Sequence, residues 1–542
     1  MTDPVPNHRQ PTSVQDTVAE AAALADRLDP VLGTFLTRFR EESAASAKQL
    51  DEHRTERGPL HGMLIAVKDL IAARETPTTC QSRVYDEGWW AGRDSIAVQR
   101  LRAGGAVIVG KTTMAEHGLG RPDPSSPFPL PRNPWDPGRW TGGSSCGSAN
   151  GLPHGLFTAS LGTDSNGSLR IPAAMCGVTA IKPTYGLVPS AGCRPLGRSV
   201  DVIGPLARSA RDCARVLAVL ADVTCDHVGG GAGTSPADLP WRRDLTGVRV
   251  GVPLAELGAA NLSGDCEQAF AAAVSDLERA GASIVTIDLP EALPMIAAQI
   301  VTLLAEAFEV HREQLRQRWD DFGRPFRGNV VLGGLIDAAV YLRAQRVRAW
   351  AADSLLRRFG ELDVIATPTW PGTAPRYDDA AGLQEMSPLP GIWNSPGFPA
   401  IAVPMGMSDD GLPLSLQLAG APWSDYRLAQ IADVYQQRTD WHHFQPRALG
   451  QEPSADAPGN ARASGPRAAD DQPGEPEAAD QAAALQRFGA TLRAVCELAR
   501  DDELPALLKA WSAISQLSGV LPDLPTDVEP ISAIRLGGAH SG

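Results

Sequence analysis

The sequence predicts an α/β domain whose β-sheet is covered by helices on both faces. Two observations predict it. Short apolar runs, typical of buried strands, recur along the chain, and Ala-rich stretches with helical spacing lie between them. A composition of 43% hydrophobic and 21% charged residues over 542 positions is ordinary for a globular enzyme. It excludes a collagen-like, coiled-coil or wholly disordered chain.

The first predicted element is a helix over residues 14–50, which are rich in Ala and Leu. Strands are then predicted at six apolar runs, residues 63–67, 106–109, 248–252, 364–366, 401–403 and 414–418. Helices are predicted between them, at residues 94–103, 208–222, 265–281 and 338–359. The Gly-rich residues 228–235 are predicted to form a surface loop.

A domain boundary is predicted near residue 450. Residues 451–480 contain no Leu, Ile, Val, Met or aromatic residue, so they cannot bury enough surface to offset their ordering entropy. We therefore divide the chain into a main domain (1–450), a flexible linker (451–480) and a helical tail (481–542). Two short amphipathic helices cannot form a core alone, so the tail is expected to dock on the main domain or on a second chain, as in a homodimer.

Charge and cysteine usage predict a cytoplasmic protein without a nucleic-acid or membrane partner. The 49 Lys and Arg against 63 Asp and Glu give a net charge of −14, and no basic block could hold phosphate or anionic lipid. The eight cysteines include no C-x-x-C pair, which favours reduced thiols. Neither a secretory signal nor a run of about 18 apolar residues is predicted.

Two Gly- and Ser-rich segments, residues 141–148 and 162–173, are the most informative for chemistry. Neither ends in the Gly-Lys-Ser/Thr of a phosphate-binding loop, and the ten His residues are scattered, so no cofactor and no metal are predicted. A serine nucleophile without His remains. Lys can be its base if burial lowers the lysine pKa, and Lys68, at the end of the apolar run 63–67, is the candidate.

These segments resemble the motifs of the amidase signature family. Residues 58–69 resemble its first motif, residues 142–145 its second and residues 162–173 its third. Further matches lie at residues 109–112, 182–186, 363–369, 397–400 and 411–418. The resemblance covers roughly residues 20–445, and it implies the fold of that family, a central mixed β-sheet with helices on both faces.

The resemblance implies hydrolysis of an amide C–N bond by a Ser–cisSer–Lys acyl-enzyme mechanism. Ser168 matches the nucleophile, Ser144 the bridging serine after a cis peptide bond, and Lys68 the base. The implied oxyanion hole consists of the backbone N–H groups of Ser165, Asn166, Gly167 and Ser168. The residues implied to support this machinery are Ser145, Asp164 and Arg170.

Two positions, Asn166 and Cys146, depart from the Gly that many family members have there. Asn tolerates positive φ better than most residues, so the oxyanion loop can keep its shape. Residues 164–168 are most similar to the 1-carboxybiuret hydrolase branch, which acts on small urea-like amides. Residues 517–531 resemble its small companion subunit, itself similar to the C subunit of tRNA-dependent amidotransferases.

Three functions are therefore open. The first is an amidohydrolase that acts on a small amide or urea-like substrate and releases ammonia or an amine. The second is the glutaminase-type subunit of a tRNA-dependent amidotransferase, which would need a tRNA-binding partner. The third is an inactive scaffold, suggested by the two departures. The walls of the pocket are expected to come from loops at residues 119–140 and 310–345.

Overall fold

The described part of the chain forms an α/β structure around one sheet. The computed structural model describes residues 13–53, 58–221, 240–258, 260–379, 389–447, 486, 488–490, 492, 502–522 and 524. The predicted linker at 451–480 and the predicted loop at 228–235 lie outside these residues.

Eleven strands in the described residues form one mixed sheet. They are β1 Phe35–Arg38, β2 Leu64–Lys68, β3 Val107–Thr112, β4 Ala159–Asp164, β5 Thr179–Lys182, β6 Val202–Ala207, β7 Arg249–Val252, β8 Ser283–Thr286, β9 Val364–Pro368, β10 Ala400–Met407 and β11 Pro413–Ala419. Their order across the sheet is β1-β3-β2-β4-β6-β5-β10-β11-β9-β7-β8. β2 is parallel to β3 and β4, and β7 to β8 and β9, whereas the other pairs are antiparallel.

Helices lie between the strands along the chain. They are α1 Val14–Leu32, α2 Arg40–Glu52, α3 Ile96–Ala103, α4 Cys146–Asn150, α5 Arg170–Cys176, α6 Ala210–Leu220, α7 Leu254–Gly258, α8 Gly264–Arg279, α9 Ala292–Arg318, α10 Arg324–Val330, α11 Ala338–Phe359, α12 Asp425–Thr439 and α13 Leu504–Val520. The four helices predicted between strands correspond to α3, α6, α8 and α11, and the six predicted strands to β2, β3, β7, β9, β10 and β11.

The sheet is covered on both faces, as predicted. Ile65 and Val67 of β2 belong to an apolar cluster that includes residues of α3, α6 and α12. Leu64 and Ala66, which alternate with them along the strand, belong to a second cluster that includes residues of α1, α2 and α5. Because side chains of a strand point alternately to opposite faces, the two clusters are the two layers on either side of the sheet.

The prediction of one helix over residues 14–50 is wrong, because a strand divides it. α1 ends at Gly33, whose φ is +58° and whose Cβ, if present, would lie 2.5 Å from the carbonyl oxygen of Leu130. The chain then enters β1, which pairs antiparallel with β3, before α2 begins at Arg40. A left-handed residue ends a helix and suits Gly, so this local signal outweighs the helical spacing.

Residues 310–345, for which the sequence predicts pocket loops, are largely helical. They contain the end of α9, all of α10 and the start of α11. By length and composition Ala292–Asp321 could span a membrane, but half of its apolar window is buried inside the protein. It packs against α10, α11 and α13 as a core helix does.

The tail docks on the main body of the same chain. The helix predicted at residues 507–521 is α13, and it packs against α9 and α10. Leu507 and Ile514 of α13 share an apolar cluster with Phe326 of α10 and Leu304 of α9. Phe488 and Leu492, from the first predicted tail helix, are buried in the same cluster, although most of that helix lies outside the described residues.

Candidate active site

Lys68 is the last residue of β2, a central strand whose five residues are all buried. Its Nζ lies 2.7 Å from the Oγ of Ser144 and 2.7 Å from the Oγ1 of Thr163, and donates a hydrogen bond to each. Burial lowers the pKa of Lys68 to about 8, because an ammonium group is poorly stabilised away from water. The amine is therefore close to the point at which it can act as a base near neutral pH.

Ser144 follows a cis peptide bond, Gly143–Ser144. The preceding Gly142 has a φ of +73°, and a Cβ there would lie 2.6 Å from the Cα of Pro172. Only glycine fits such a close approach. The carbonyl of Ser144 accepts a hydrogen bond from the N–H of Ala115 at 3.1 Å, which joins this loop to the segment after β3.

Ser145 is fully buried and holds the second motif against β4. Its Oγ donates to the carbonyl of Thr163 at 3.2 Å and accepts from the N–H of the same residue at 3.3 Å. The string Gly143–Gly147 fits the Gly-x-Ser-x-Gly pattern of a nucleophile elbow. With its hydroxyl bound to β4, Ser145 has the contacts of a structural residue rather than those of a nucleophile.

Asp164 and Arg170 form an ion pair with no exposed surface, in which the Arg Nε lies 3.0 Å from the Asp Oδ2. Burial alone would raise the pKa of Asp164, but the Arg170 charge and hydrogen bonds lower it to about 2. Arg170 also donates to the side chains of Gln417 and Asn394, at 2.7 and 2.6 Å. The pair thus connects the third motif with β11 and with the segment before β10.

The loop 165–168 connects β4 with α5. Its Gly167 N–H donates to the Asp164 carboxylate at 2.7 Å, so the prediction that this N–H faces the substrate oxygen is wrong for the structure described here. The Oγ of Ser165 donates to Asp201 at 2.5 Å. The Asn166 side chain lies against Gly391, where a Cβ would clash with its Oδ1.

Ser168 is half-buried at the end of this loop. Its carbonyl accepts a hydrogen bond from the N–H of Ser145 at 3.3 Å, so the second and third motifs lie side by side. Among the described hydrogen bonds none joins the Oγ atoms of Ser144 and Ser168. Catalytic hydrogen bonds are often longer in a ligand-free site and shorten when substrate binds.

Sequence reasoning assigned no role to several polar residues that contact the site. Thr163 lies inside the third motif, directly before Asp164, and its position there was the one signal available. Gln299, Asn394 and Gln417 come from distant segments, and no local pattern marks them. Only the packing of α9 and β11 brings them to the motifs.

The other buried cations and thiols are occupied elsewhere. Lys111 is buried and pairs with Asp69 at 3.1 Å, and Lys182 donates to the carbonyl of Pro183 at 3.0 Å. Burial raises the pKa of the Cys146 thiol to about 11, so it stays protonated at neutral pH. No group of three or more His, Cys, Asp or Glu residues able to hold a metal ion is found in the described ranges.

A family model described as Amidase matches residues 16–429 of this chain. The chain belongs to the amidase family. Its membership agrees with the motif resemblance and with the fold.

Amidase relatives with different activities are similar to this chain. The A-type subunit of glutamyl-tRNA(Gln) amidotransferase from Symbiobacterium thermophilum is 35% identical over 471 residues, which are 80% of this chain and 95% of that protein. A chain of the vestigial protein complex that reveals the origins of an s-triazine catabolic enzyme is 30% identical. It has a TM-score of 0.72 and covers 79% of this chain and 95% of its own.

A peptide amidase, solved with the competitive inhibitor chymostatin, is 28% identical with a TM-score of 0.66. The match covers 79% of this chain and 94% of the peptide amidase. Amide C–N chemistry is therefore the general property that these relatives share, while the substrates differ among them.

Proposed function

We propose that this protein is an amidohydrolase that cleaves the C–N bond of a small amide or urea-like substrate with Lys68, Ser144 and Ser168. The observation that carries the proposal is the 2.7 Å contact between the buried amine of Lys68 and the hydroxyl of Ser144, at a cis peptide bond. A hydroxyl becomes a nucleophile when a neutral base can take its proton, and a buried lysine near its pKa is such a base.

The proposed reaction begins with a proton relay. Neutral Lys68 keeps one N–H on Thr163, so that its lone pair can take the proton of Ser144, which in turn takes the proton of Ser168. The Ser168 Oγ then attacks the amide carbon. The negative charge that develops on the amide oxygen would be bound by the N–H groups of Ser165, Asn166 and Ser168.

The second half of the reaction releases the products. The proton returns through Ser144 to the leaving nitrogen, the C–N bond breaks, and an acyl group stays on Ser168. Water then attacks the acyl carbon, with the same relay as the base, and frees the acid. The amine product is ammonia for a primary amide.

The surroundings of the site support this assignment. Ser145, Asp164 and Arg170 would hold the loops that carry the two serines, because each of them bonds to one of these loops. The six cysteines in the described residues are free, which supports a reducing, cytoplasmic location.

The test uses the purified full chain and a panel of amides that includes acetamide, malonamide, biuret and glutamine, with ammonia release as the readout. Ser168→Ala should lower the rate by at least ~10³-fold, as expected for loss of a nucleophile. Ser46→Ala, on α2 outside the site, should leave it unchanged. Full hydrolysis by Ser168→Ala would refute the proposed mechanism, and a wild-type chain inactive on every amide would favour a scaffold.

A second candidate is the A-type subunit of a tRNA-dependent amidotransferase, because relatives of that name are 35% identical over most of this chain. Its activity would be directed to glutamine and would depend on a tRNA-binding partner. Hydrolysis of a small amide by the isolated chain, without tRNA, would count against it. Activity seen only with glutamine, and only with the partner and tRNA present, would favour it over the first proposal.

A further inference from the structure

We propose that Gln299 is a positioning residue for amide hydrolysis, because its side-chain amide orients the peptide that links Ser165 to Asn166. The inference rests on the proposed function, in which the N–H of Asn166 binds the developing oxyanion. Gln299 touches neither serine of the relay and comes from α9, more than 100 residues further along the chain.

The contact itself is specific in direction. The Nε2 of Gln299 donates a hydrogen bond to the backbone carbonyl of Ser165, and Gln299 has no exposed surface. A carbonyl can only accept, so the amide must present its NH₂ group here. Its Oε1 is buried without a partner among the described residues. A buried glutamine with half of its polar group unused is costly, which indicates that the bond to Ser165 is what it supplies there.

The consequence for the oxyanion loop follows from the geometry of the peptide unit. In a trans peptide the C=O and the N–H point in opposite directions. The bond between Ser165 and Asn166 is not among the cis bonds. With the Ser165 carbonyl directed to α9, the N–H of Asn166 is directed away from α9. Gln299 thus fixes the direction of this N–H before substrate arrives.

Two further contacts restrict the same residue pair. The Ser165 Oγ donates to the Asp201 carboxylate, which also accepts from the N–H of Leu196 at 2.8 Å. The Asn166 side chain is held against Gly391. With its carbonyl and its hydroxyl both bound, Ser165 cannot rotate its peptide without breaking a buried hydrogen bond.

The helix that carries Gln299 is itself held in place by the tail. Its neighbours Ala298 and Val301 pack in one apolar cluster with Leu521, the residue that follows α13. On the other side of Gln299, Ala297 belongs to the same cluster. The docked tail therefore supports α9 at the level of the Gln299 side chain.

The test compares Gln299→Met with wild type on the amide that the wild-type chain hydrolyses fastest. Met keeps the volume and removes the donor. We expect kcat to fall on the order of 10- to 100-fold, with KM within about twofold, because the donor to the oxyanion is misdirected while ground-state binding is kept. Phenylboronic acid, whose tetrahedral serine adduct has a hydroxyl where the oxyanion forms, should bind more weakly by a similar factor.

The matched control is Thr302→Val, one turn further along α9. Thr302 is buried and bonds to Ala298 and Gln345 but not to the loop 165–168. It should lower the melting temperature without changing kcat or the phenylboronic acid affinity. If Gln299→Met does not fold, Gln299→Glu replaces it, since a carboxylate of similar shape cannot donate to the Ser165 carbonyl.

The outcomes separate the two proposals. A Gln299 variant that loses thermal stability but keeps kcat and phenylboronic acid affinity within twofold would overturn the positioning role and leave the proposed function intact. Equal losses in kcat and phenylboronic acid affinity at constant KM would support it. A wild-type chain that hydrolyses no amide and binds no phenylboronic acid would overturn the proposed function, and the role of Gln299 with it.

Discussion

The amine of Lys68 and the hydroxyl of Ser144 lie 2.7 Å apart, and the lysine side chain has no exposed surface. Burial lowers the pKa of this amine to about 8. The contact therefore joins a hydroxyl to a base whose charge changes within the range in which enzymes work.

We expect kcat/KM for amide hydrolysis to rise with pH through about 8 and to level off above it. Only the neutral amine can accept a proton, and its fraction increases as the pH rises through the pKa of Lys68. A pH–rate profile of the full chain measures this. An activity that is greatest at pH 6 and declines towards pH 8 would contradict the role of Lys68 as base.

Thr163→Val should move this acidic limb to lower pH. The Thr163 hydroxyl accepts a hydrogen bond from the Lys68 amine and so stabilises its charged form, which the Val side chain cannot do. We also expect the plateau to fall by about tenfold, because the amine loses one of its two partners. The control is Thr369→Val, which removes a buried hydroxyl bonded to Ser415 and should leave the limb in place.

Arg170→Met should destabilise the protein by about 3–5 kcal/mol, since it leaves the carboxylate of Asp164 buried without its charged partner. Chemical denaturation measures the loss. Arg324→Met removes an exposed partner of Asp502 and should cost no more than about 1 kcal/mol. Equal effects of the two substitutions would contradict the importance of burial.

The same pair predicts an acid sensitivity. The pKa of Asp164 is about 2 in the folded chain against 3.8 as its ordinary value. A lowered pKa contributes stability above the ordinary value, and this contribution is lost as the pH falls from about 4 to 2. Unfolding measured over this range should therefore show less acid dependence in Arg170→Met than in wild type.

Gly391→Ala should lower activity, because the added Cβ would collide with the side chain of Asn166 in the oxyanion loop. The second substitution Asn166→Gly removes that side chain and should restore the space. We expect a coupling free energy of about 1–3 kcal/mol in a double-mutant cycle on kcat/KM. Additive effects would show that the two side-chain positions do not interact.

Leu507→Ala should destabilise the chain by about 2–4 kcal/mol, since Leu507 is buried between α13 and the main body. Deleting residues 451–542 should expose the same apolar surface and lower the melting temperature further. Val520→Ala, at an exposed position of α13, is the control and should change little. An unchanged melting curve after the deletion would contradict docking of the tail.

The sequence by itself determined the candidate site. Lys68, Ser144 and Ser168 lie in short motifs, and the ion pair of Asp164 with Arg170 spans only six residues. Such local spacing carries chemistry because one loop or turn positions its own residues. The apolar runs likewise predicted the strands whose hydrophobic side chains are contiguous.

The strands β4, β5 and β6 escaped this reasoning, although every residue in them is buried. Their Gly, Ser, Thr and Pro content hides them from a hydropathy pattern. The strand inside the predicted helix 14–50 escaped it too, because pairing of β1 with β3 is a long-range interaction.

Only the tertiary structure decided which distant residues complete the site. Gln299 reaches Ser165 from α9, Gln417 reaches Arg170 from β11, and the tail reaches α9 through Leu521. It also decided that the Gly167 N–H binds Asp164 and not the substrate. These contacts join segments that are neighbours only after the sheet and its helices have packed, and the free energy of that packing is not encoded in any single short motif.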